Sequence, residues 1–241
     1  MNIPFPTAAD HARWQTERHA DLTRPDGWLT LVGLFWLEEG DHAVGSDAAC
    51  SVHLPSGPAR LGTIHVRDSA AEWCTESGKR QPLQSDAIGD PTVVRHGSVS
   101  FIVIERDGRL AVRVRDNEAA ARRNFAGIDS FPFNPAWCVD ARWEGGRANF
   151  EIAGEPCSLG PRTLADGSLQ FVFGDATSGR ETYGGGRFLY TPAPRGDVLW
   201  LDFNRAINPP CVFTPFAVCP LPTPENRLPL AVMAGEKVRR I

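Results

Sequence analysis

The chain reads as an all-β protein, an antiparallel sandwich and/or barrel with a short N-terminal helix. Three observations point there. From residue 28 onward, apolar residues recur at strand period in short runs. Those runs are bounded by Asp-Gly, Gly-Gly and proline-containing turns. Only one stretch, Thr7 to Leu22, carries clear helical spacing. The chain divides by pattern into an N-terminal helical segment (1–26), a sandwich-like half (27–116) and a β-rich half (117–241), the last two forming one domain or two.

In chain order, Thr7 opens the helix as its cap, with Asp10 at the position where a capping box usually has Glu or Gln. Trp14, Arg18 and Leu22 share one face of it. Pro25-Asp26-Gly27 turns the chain. Trp28 to Leu37, apolar on both faces, is expected as one buried strand. Short strand-like pieces follow at 43–44, 51–54, 61–66 and 72–75. The clearest hairpin spans Ser98 to Asp116 around Asp107-Gly108, a type I′ pair, with Val112 and Val114 on one face and Arg113 and Arg115 on the other. Asn117 to Asn124 suits a short helix, and Phe125 to Pro135 an ordered loop serving as a lid or a domain junction. A second hairpin turns at Gly145-Gly146. Strands are expected at Ser168 to Phe173, at Arg187 to Thr191 and at Val198 to Asn204. In the last of these, Leu199, Leu201 and Phe203 form the core face. Trp200, Asp202 and Asn204 form a polar one.

Composition bounds the function. Apolar residues make up 42% and charged residues 22%, ordinary for a globular chain. The net charge of −4 offers no basic stripe for nucleic acid. No apolar run approaches the roughly 20 residues of a membrane span. The opening MNIPFPTAADHARW lacks the basic start and apolar run of a signal peptide. A cytoplasmic protein is expected, with its six cysteines mostly thiols.

The stretch from Leu201 to Leu228 gathers two acids, three asparagines, two cysteines and six prolines. Proline fixes φ and lacks a donor, so this is a rigid extended path and neither a helix nor a central strand. An X-Pro bond at Asn208-Pro209 or Pro209-Pro210 is open to either isomer. Cys211 and Cys219 do not have C-x-x-C spacing. All six histidines lie in the first hundred residues, away from these cysteines. Buried thiols acting as small apolar groups, a disulfide, or a mixed site with a distant histidine all remain open.

Upstream, Asp175 to Gly179 ends a strand, and Glu181-Thr182-Tyr183 leads to Gly184-Gly185-Gly186. A phosphate-binding loop needs Gly-Lys-Ser/Thr running into a helix. Here no lysine is present and a strand follows, so a tight bend is the better reading.

The signature LDFNRAINPPC, with CPLP and ENRLP downstream, resembles that of an uncharacterised bacterial family known only as a domain of unknown function. Residues 27–29 with 33–37, Arg123 to Trp137, and Asp175 to Leu189 carry the same resemblance. It transfers no activity. Separately, residues 44–62 resemble the start of a forkhead-associated domain, a sandwich that binds phosphothreonine, with the scaffold likeness extending over residues 38–115. Ser46 stands where that family has a phosphate-binding arginine and no S-x-x-H follows at the right distance, so the likeness implies a shared scaffold.

The candidate site residues are Asp202 as general base and Tyr183 as acid, with Arg187, Asn204, Asn208, Asp175, Thr177, Glu181 and Trp200 around a ligand. Arg187 suits a carboxylate or phosphate through its bidentate fork. Alternatively, Arg187 and Asp202 form an internal ion pair joining two strands. The leading expectation is a binding protein or enzyme for a small anionic organic molecule, with its pocket in the C-terminal half. A noncatalytic interaction module on a forkhead-associated-like scaffold and a thiol or metal protein using Cys211 and Cys219 are the alternatives. No cofactor and no oligomeric state can be read. A Ser-His-Asp hydrolase is disfavoured, since no G-x-S-x-G elbow is present.

Overall fold

The computed structural model describes residues 6–238 and shows a predominantly β protein with one long helix. Helix α1 (Ala8–Thr23) begins as expected. The Thr7 amide donates to Asp10 Oδ2 at 3.0 Å and the Asp10 amide to Thr7 Oγ1 at 3.2 Å, so aspartate completes the capping box here. The first five residues of the predicted helical segment lie outside the described residues.

The chain forms two compact units. One comprises Asp21–Phe125 and Phe213–Ala217. Its strands are β1 (Leu31–Trp36), β2 (Gly40–Gly45), β3 (Val52–His53), β4 (Gly62–Arg67), β5 (Ala70–Thr75), β6 (Arg80–Leu83), β7 (Val94–His96), β8 (Val99–Arg106) and β9 (Arg109–Asp116). They make a sheet in the order β1-β9-β8-β7 and another in the order β3-β2-β4-β5-β6, antiparallel except for the β2–β3 pair. Ile64, Val66 and Trp73 from the second sheet share a core with Phe101, Val103, Val112 and Val114 from the first, as in a sandwich. Asp107 (φ 52°) and Gly108 (φ 73°) make the β8–β9 turn, the backbone that an Asp-Gly hairpin requires.

One expectation is corrected in this unit. Residues 28–30 form a 3-10 turn, and the strand starts only at Leu31. The Gly27 carbonyl accepts from both the amide (3.1 Å) and the hydroxyl (2.6 Å) of Thr30, which closes a local turn where a ladder would otherwise begin.

The second unit comprises Ala126–Val212 with the described residues before Asp21 and from Val218 onward. A one-turn helix α2 (Ala120–Arg123) lies just upstream of it in sequence. Its strands are β10 (Cys138–Glu144), β11 (Arg147–Ile152), β12 (Glu155–Leu159), β13 (Arg162–Thr163), β14 (Leu169–Phe173), β15 (Arg187–Thr191) and β16 (Val198–Asp202). The sheet orders are β12-β11-β10-β16 and β13-β14-β15, all antiparallel. Phe150, Leu159, Leu199 and Leu201 from one sheet and Phe171, Phe173 and Leu189 from the other fill a single core. Each such fully buried side chain contributes about 1.5–3 kcal/mol.

Strand β16 ends at Asp202, not Asn204. The Asp202 carboxylate accepts the Asn204 amide at 3.1 Å and caps a 3-10 turn over Phe203–Arg205. The glycine triplet is the tight bend. Gly186 has φ 85°, and a Cβ there would lie 2.6 Å from the Phe173 carbonyl oxygen. The proline-rich path holds two short 3-10 turns, Pro210–Val212 and Pro224–Asn226, and all described peptide bonds are trans.

Candidate functional site

The expected residues separate into four groups within the C-terminal unit. The first is built on Arg187. Its Nη2 lies 2.8 Å from Asp175 Oδ2, both side chains are only 1% exposed, and its guanidinium stacks over Phe173. The remaining donors reach the carbonyls of Val232 (3.0 Å) and Ala234. Thr177 gives its amide (2.7 Å) and hydroxyl (2.5 Å) to Asp175 Oδ1 and meets Thr182 at 2.7 Å. Burial opposes the charge on Arg187, and Asp175 offsets that. This group ties the chain at 232–234 to the sheet. The expected direct Arg187–Asp202 pair does not form: β15 and β16 belong to different sheets, and Asp175 takes the arginine instead.

The second group holds Asn208. Its amide donates to Glu236 Oε2 at 2.6 Å and its Nδ2 to the Lys237 carbonyl at 2.8 Å. Glu236 is buried and also accepts from Arg18 Nε at 2.8 Å. Nearby, the Glu181 carbonyl accepts the Val238 amide at 2.9 Å while the Glu181 side chain is exposed.

The third contains Tyr183. The Cys211 thiol lies 3.6 Å from its hydroxyl, and the Cys211 amide donates to Cys219 Sγ at 3.3 Å. The Cys211 contact and burial raise the phenol above its ordinary value of 10.0, so Tyr183 holds its proton at neutral pH. The two cysteines form no disulfide. Among the described residues, no group of three His, Cys, Asp or Glu is placed to hold a metal ion.

The fourth, centred on Asp202, opens toward a cleft. Strand alternation puts Asp202 and Trp200 on one face, opposite Cys138 and Asp140 of β10. Asp202 Oδ1 accepts from Asn204 Nδ2 at 3.0 Å and from the Cys138 thiol at 3.4 Å. Asn204 also fixes the backbone of Asn134 at both its amide and its carbonyl, each at 3.0 Å. Burial first, and Asp202 second, push the Cys138 thiol up to about 12, so it serves as a donor and not a nucleophile. Asp202 Oδ2 faces Arg205 Nε at 3.2 Å. Arg205 in turn lines a cleft of about 290 Å³ with Pro6, Asp10, Arg13, Trp14 and Glu17.

His11, on the same helix, is 5% exposed, with its ring 5.4 Å from both Trp14 and Phe133. Neither ring nitrogen has a hydrogen-bond partner among the described residues. Distance in sequence therefore does not keep every histidine from the C-terminal unit. Helix α1 delivers His11, Arg13 and Trp14 there, and the sequence reading missed all three along with Arg205. The one local signal was Asp202-Phe-Asn-Arg205, an i,i+3 acid–base pair. Asp202 and Asn204 meet in this group. Tyr183 and Arg187 do not join them.

Burial lowers the pKa of His11 below its ordinary value of 6.5, despite the opposing pull of Asp202. The unfolded chain then binds more protons than the folded one between those two values. The contribution is complete above about pH 6.5 and is lost as pH falls through the folded pKa. Stability should thus decline as pH falls below about 6.5. His11→Phe keeps the ring packing, removes two unpartnered nitrogens and should flatten that part of the profile. Urea unfolding across this pH range checks it. An unchanged slope would show that His11 is not its source.

Comparison with known proteins finds a family model that matches part of the chain. Residues 144–237 match the model of a family described as a protein of unknown function (DUF1684). The match agrees with the expected domain of unknown function over the stretch that holds Tyr183, Arg187, Asp202 and the proline-rich path. Among solved structures, an uncharacterised protein of Haloarcula marismortui determined by solution NMR is 28% identical. The similarity covers 48% of this chain and 78% of that one, with a TM-score of 0.42. No curated protein matches. Among the described residues, no helix is long and apolar enough to cross a membrane.

Proposed function

We propose that the C-terminal unit binds a small anionic organic molecule in the cleft formed by Trp14, Arg13 and Arg205, with Asp202 and Asn204 as its supporting wall. One observation carries this reading. The Arg205 guanidinium lines the cleft, is held from behind by Asp202 at 3.2 Å, and donates no hydrogen bond among the described residues. A fork oriented by a carboxylate at one edge is pre-organised to grip a carboxylate or phosphate with the rest. Trp14 supplies an apolar wall for the organic part. The other cleft arginine, Arg13, lies 3.5 Å from Asp10, which Thr7 also engages.

In this reading Arg187, Asp175 and Thr177 hold the unit together and do not touch the ligand. Asp202 is the one expected catalytic residue near the cleft, and Oδ2 is the oxygen that could take a proton from a bound molecule. The six thiols suit a cytoplasmic setting, and the resemblance to a bacterial family suits a bacterial source. Isothermal titration with succinate, benzoate and inorganic phosphate tests the proposal. Arg205→Gln should weaken the best of them roughly ten- to hundredfold, the worth of a charge-assisted pair. Equal affinity in wild type and R205Q, or no binding of any probe at millimolar concentration, would overturn it.

A further inference from the structure

Cys211 and Cys219 take no part in that cleft or in the buried arginine group. They enclose seven residues of the proline-rich path. Pro209 and Pro210 precede the first, and Pro220 follows the second. Proline fixes φ at its own position and restricts the residue before it, so both cysteine backbones are stiffly held. Cys211 lies in the 3-10 turn Pro210–Val212, and its amide donates to Cys219 Sγ at 3.3 Å. The two side chains are therefore neighbours. Closing a bond between them calls for side-chain rotation and the loss of that one amide contact.

Tyr183 marks the other side of the pair. The Cys211 thiol lies 3.6 Å from its hydroxyl, and its ring packs so closely on Gly185 that a Cβ there would be 2.5 Å from Cε1. The phenol is pushed above 10.0 first by the Cys211 hydrogen bond, then by burial and by the charge of both sulfurs, so Cys219 also lies near that hydroxyl. The other two cysteines of the C-terminal unit are different. Cys138 and Cys157 are buried, and burial raises both thiols, Cys138 to about 12, which leaves them unreactive. Cys211 and Cys219 are half-buried, and Val218 beside the second is 54% exposed, which gives a small oxidant a way in.

We propose that Cys211 and Cys219 are a redox-active dithiol that a hydroperoxide closes to a disulfide and a dithiol reductant reopens. Peroxide breaks its O–O bond on one thiolate, leaving a sulfenic acid and a hydroxide that takes up the proton of that thiol. The second thiol attacks the sulfenic sulfur. The S–S bond forms, the S–O bond breaks, and the oxygen leaves as water with the second thiol's proton. Two thiols are oxidised and one hydrogen peroxide is reduced to two waters. In a reducing compartment the pair rests as thiols and closes only under oxidant. Closure has a structural consequence. Phe213–Ala217 belong to the other compact unit, where Thr214 Oγ1 donates to the Leu31 carbonyl at 3.1 Å. The cysteines stand one residue inside the points where the chain leaves the C-terminal unit and returns, so the bond clasps this excursion at its base and withdraws a thiol from Tyr183.

Limited oxidation of the intact protein with hydrogen peroxide tests this. The tryptic peptide 206–227 holds both cysteines and no other. After brief oxidation and alkylation it should appear unalkylated and two hydrogens lighter. The free-thiol count should fall by two from six, and dithiothreitol should restore both. C50S/C74S should respond as wild type does, since the oxidised pair lies elsewhere. In C211S and in C219S the paired loss should disappear, and dimedone, which captures sulfenic acids, should label the remaining cysteine of the pair in at least one of them. A peptide that stays fully alkylated while other cysteines react, or that closes only after urea unfolding, would overturn the proposal. So would a peptide that gains oxygen without losing two hydrogens, or a disulfide that joins two chains.

Discussion

Replacing Arg187 with methionine should destabilise the C-terminal unit by about 3–5 kcal/mol, because it strips the partner from a buried carboxylate. Asp175 is 1% exposed in its side chain and has no other cation within ion-pair distance among the described residues. The same substitution releases the carbonyls of Val232 and Ala234, so the following segment, with Glu236 and Lys237, loosens as well. The compensating variant is informative. R187M combined with Asp175→Leu removes both charges, and a buried pair exchanged for apolar groups is often close to neutral. The double variant should therefore recover a large part of the loss, less the Thr177 and Val232 bonds to Asp175. Urea unfolding of the three variants measures this. A loss below about 1 kcal/mol in R187M would place the pair among the weak surface contacts.

Phe203→Ala should be comparably damaging, at about 3–5 kcal/mol, and should also reach the cleft. Phe203 is fully buried, with its ring 5.7 Å from Phe150 and 5.5 Å from Phe173. Those two rings come from the two different sheets of the unit, so Phe203 joins them. It is also the first residue of the 3-10 turn that carries Asn204 and Arg205. Truncation leaves a cavity beneath that turn and frees Arg205 from its position beside Asp202. Phe203→Leu, which retains most of the volume, should lose less stability and keep more ligand affinity. If F203A unfolds with the same free energy as wild type, the turn is not anchored by this ring.

Local chemistry made much of the fold legible. Asp107-Gly108 announces its hairpin because few other residues accept positive φ at both positions. Thr7 and Asp10 announce the helix because their side chains satisfy its first amides. The 28–30 turn was hidden, since a threonine hydroxyl bonding back to Gly27 competes with a strand that apolar content alone favours. The candidate site was legible only in part. Asp202 and Asn204 were readable as partners because they sit two residues apart on one path. That Arg187 would choose Asp175 depends on β15 pairing with β14 while β16 pairs with β10, and strand order is not written in any local pattern. His11 and Trp14 were unreadable as site residues for the same reason: a helix at one end of the sequence packs with strands from the other.

The central claim is that Arg205 and Trp14 face a small anion together. The most direct measurement is the ¹⁵N–¹H resonance of the Trp14 indole, assigned with a Trp14→Phe variant and followed during titration with the tightest of the three probes. The account predicts a saturable shift of that resonance in wild type at the affinity found by calorimetry, lost in R205Q. Binding that leaves the Trp14 indole unmoved while shifting resonances elsewhere would contradict it.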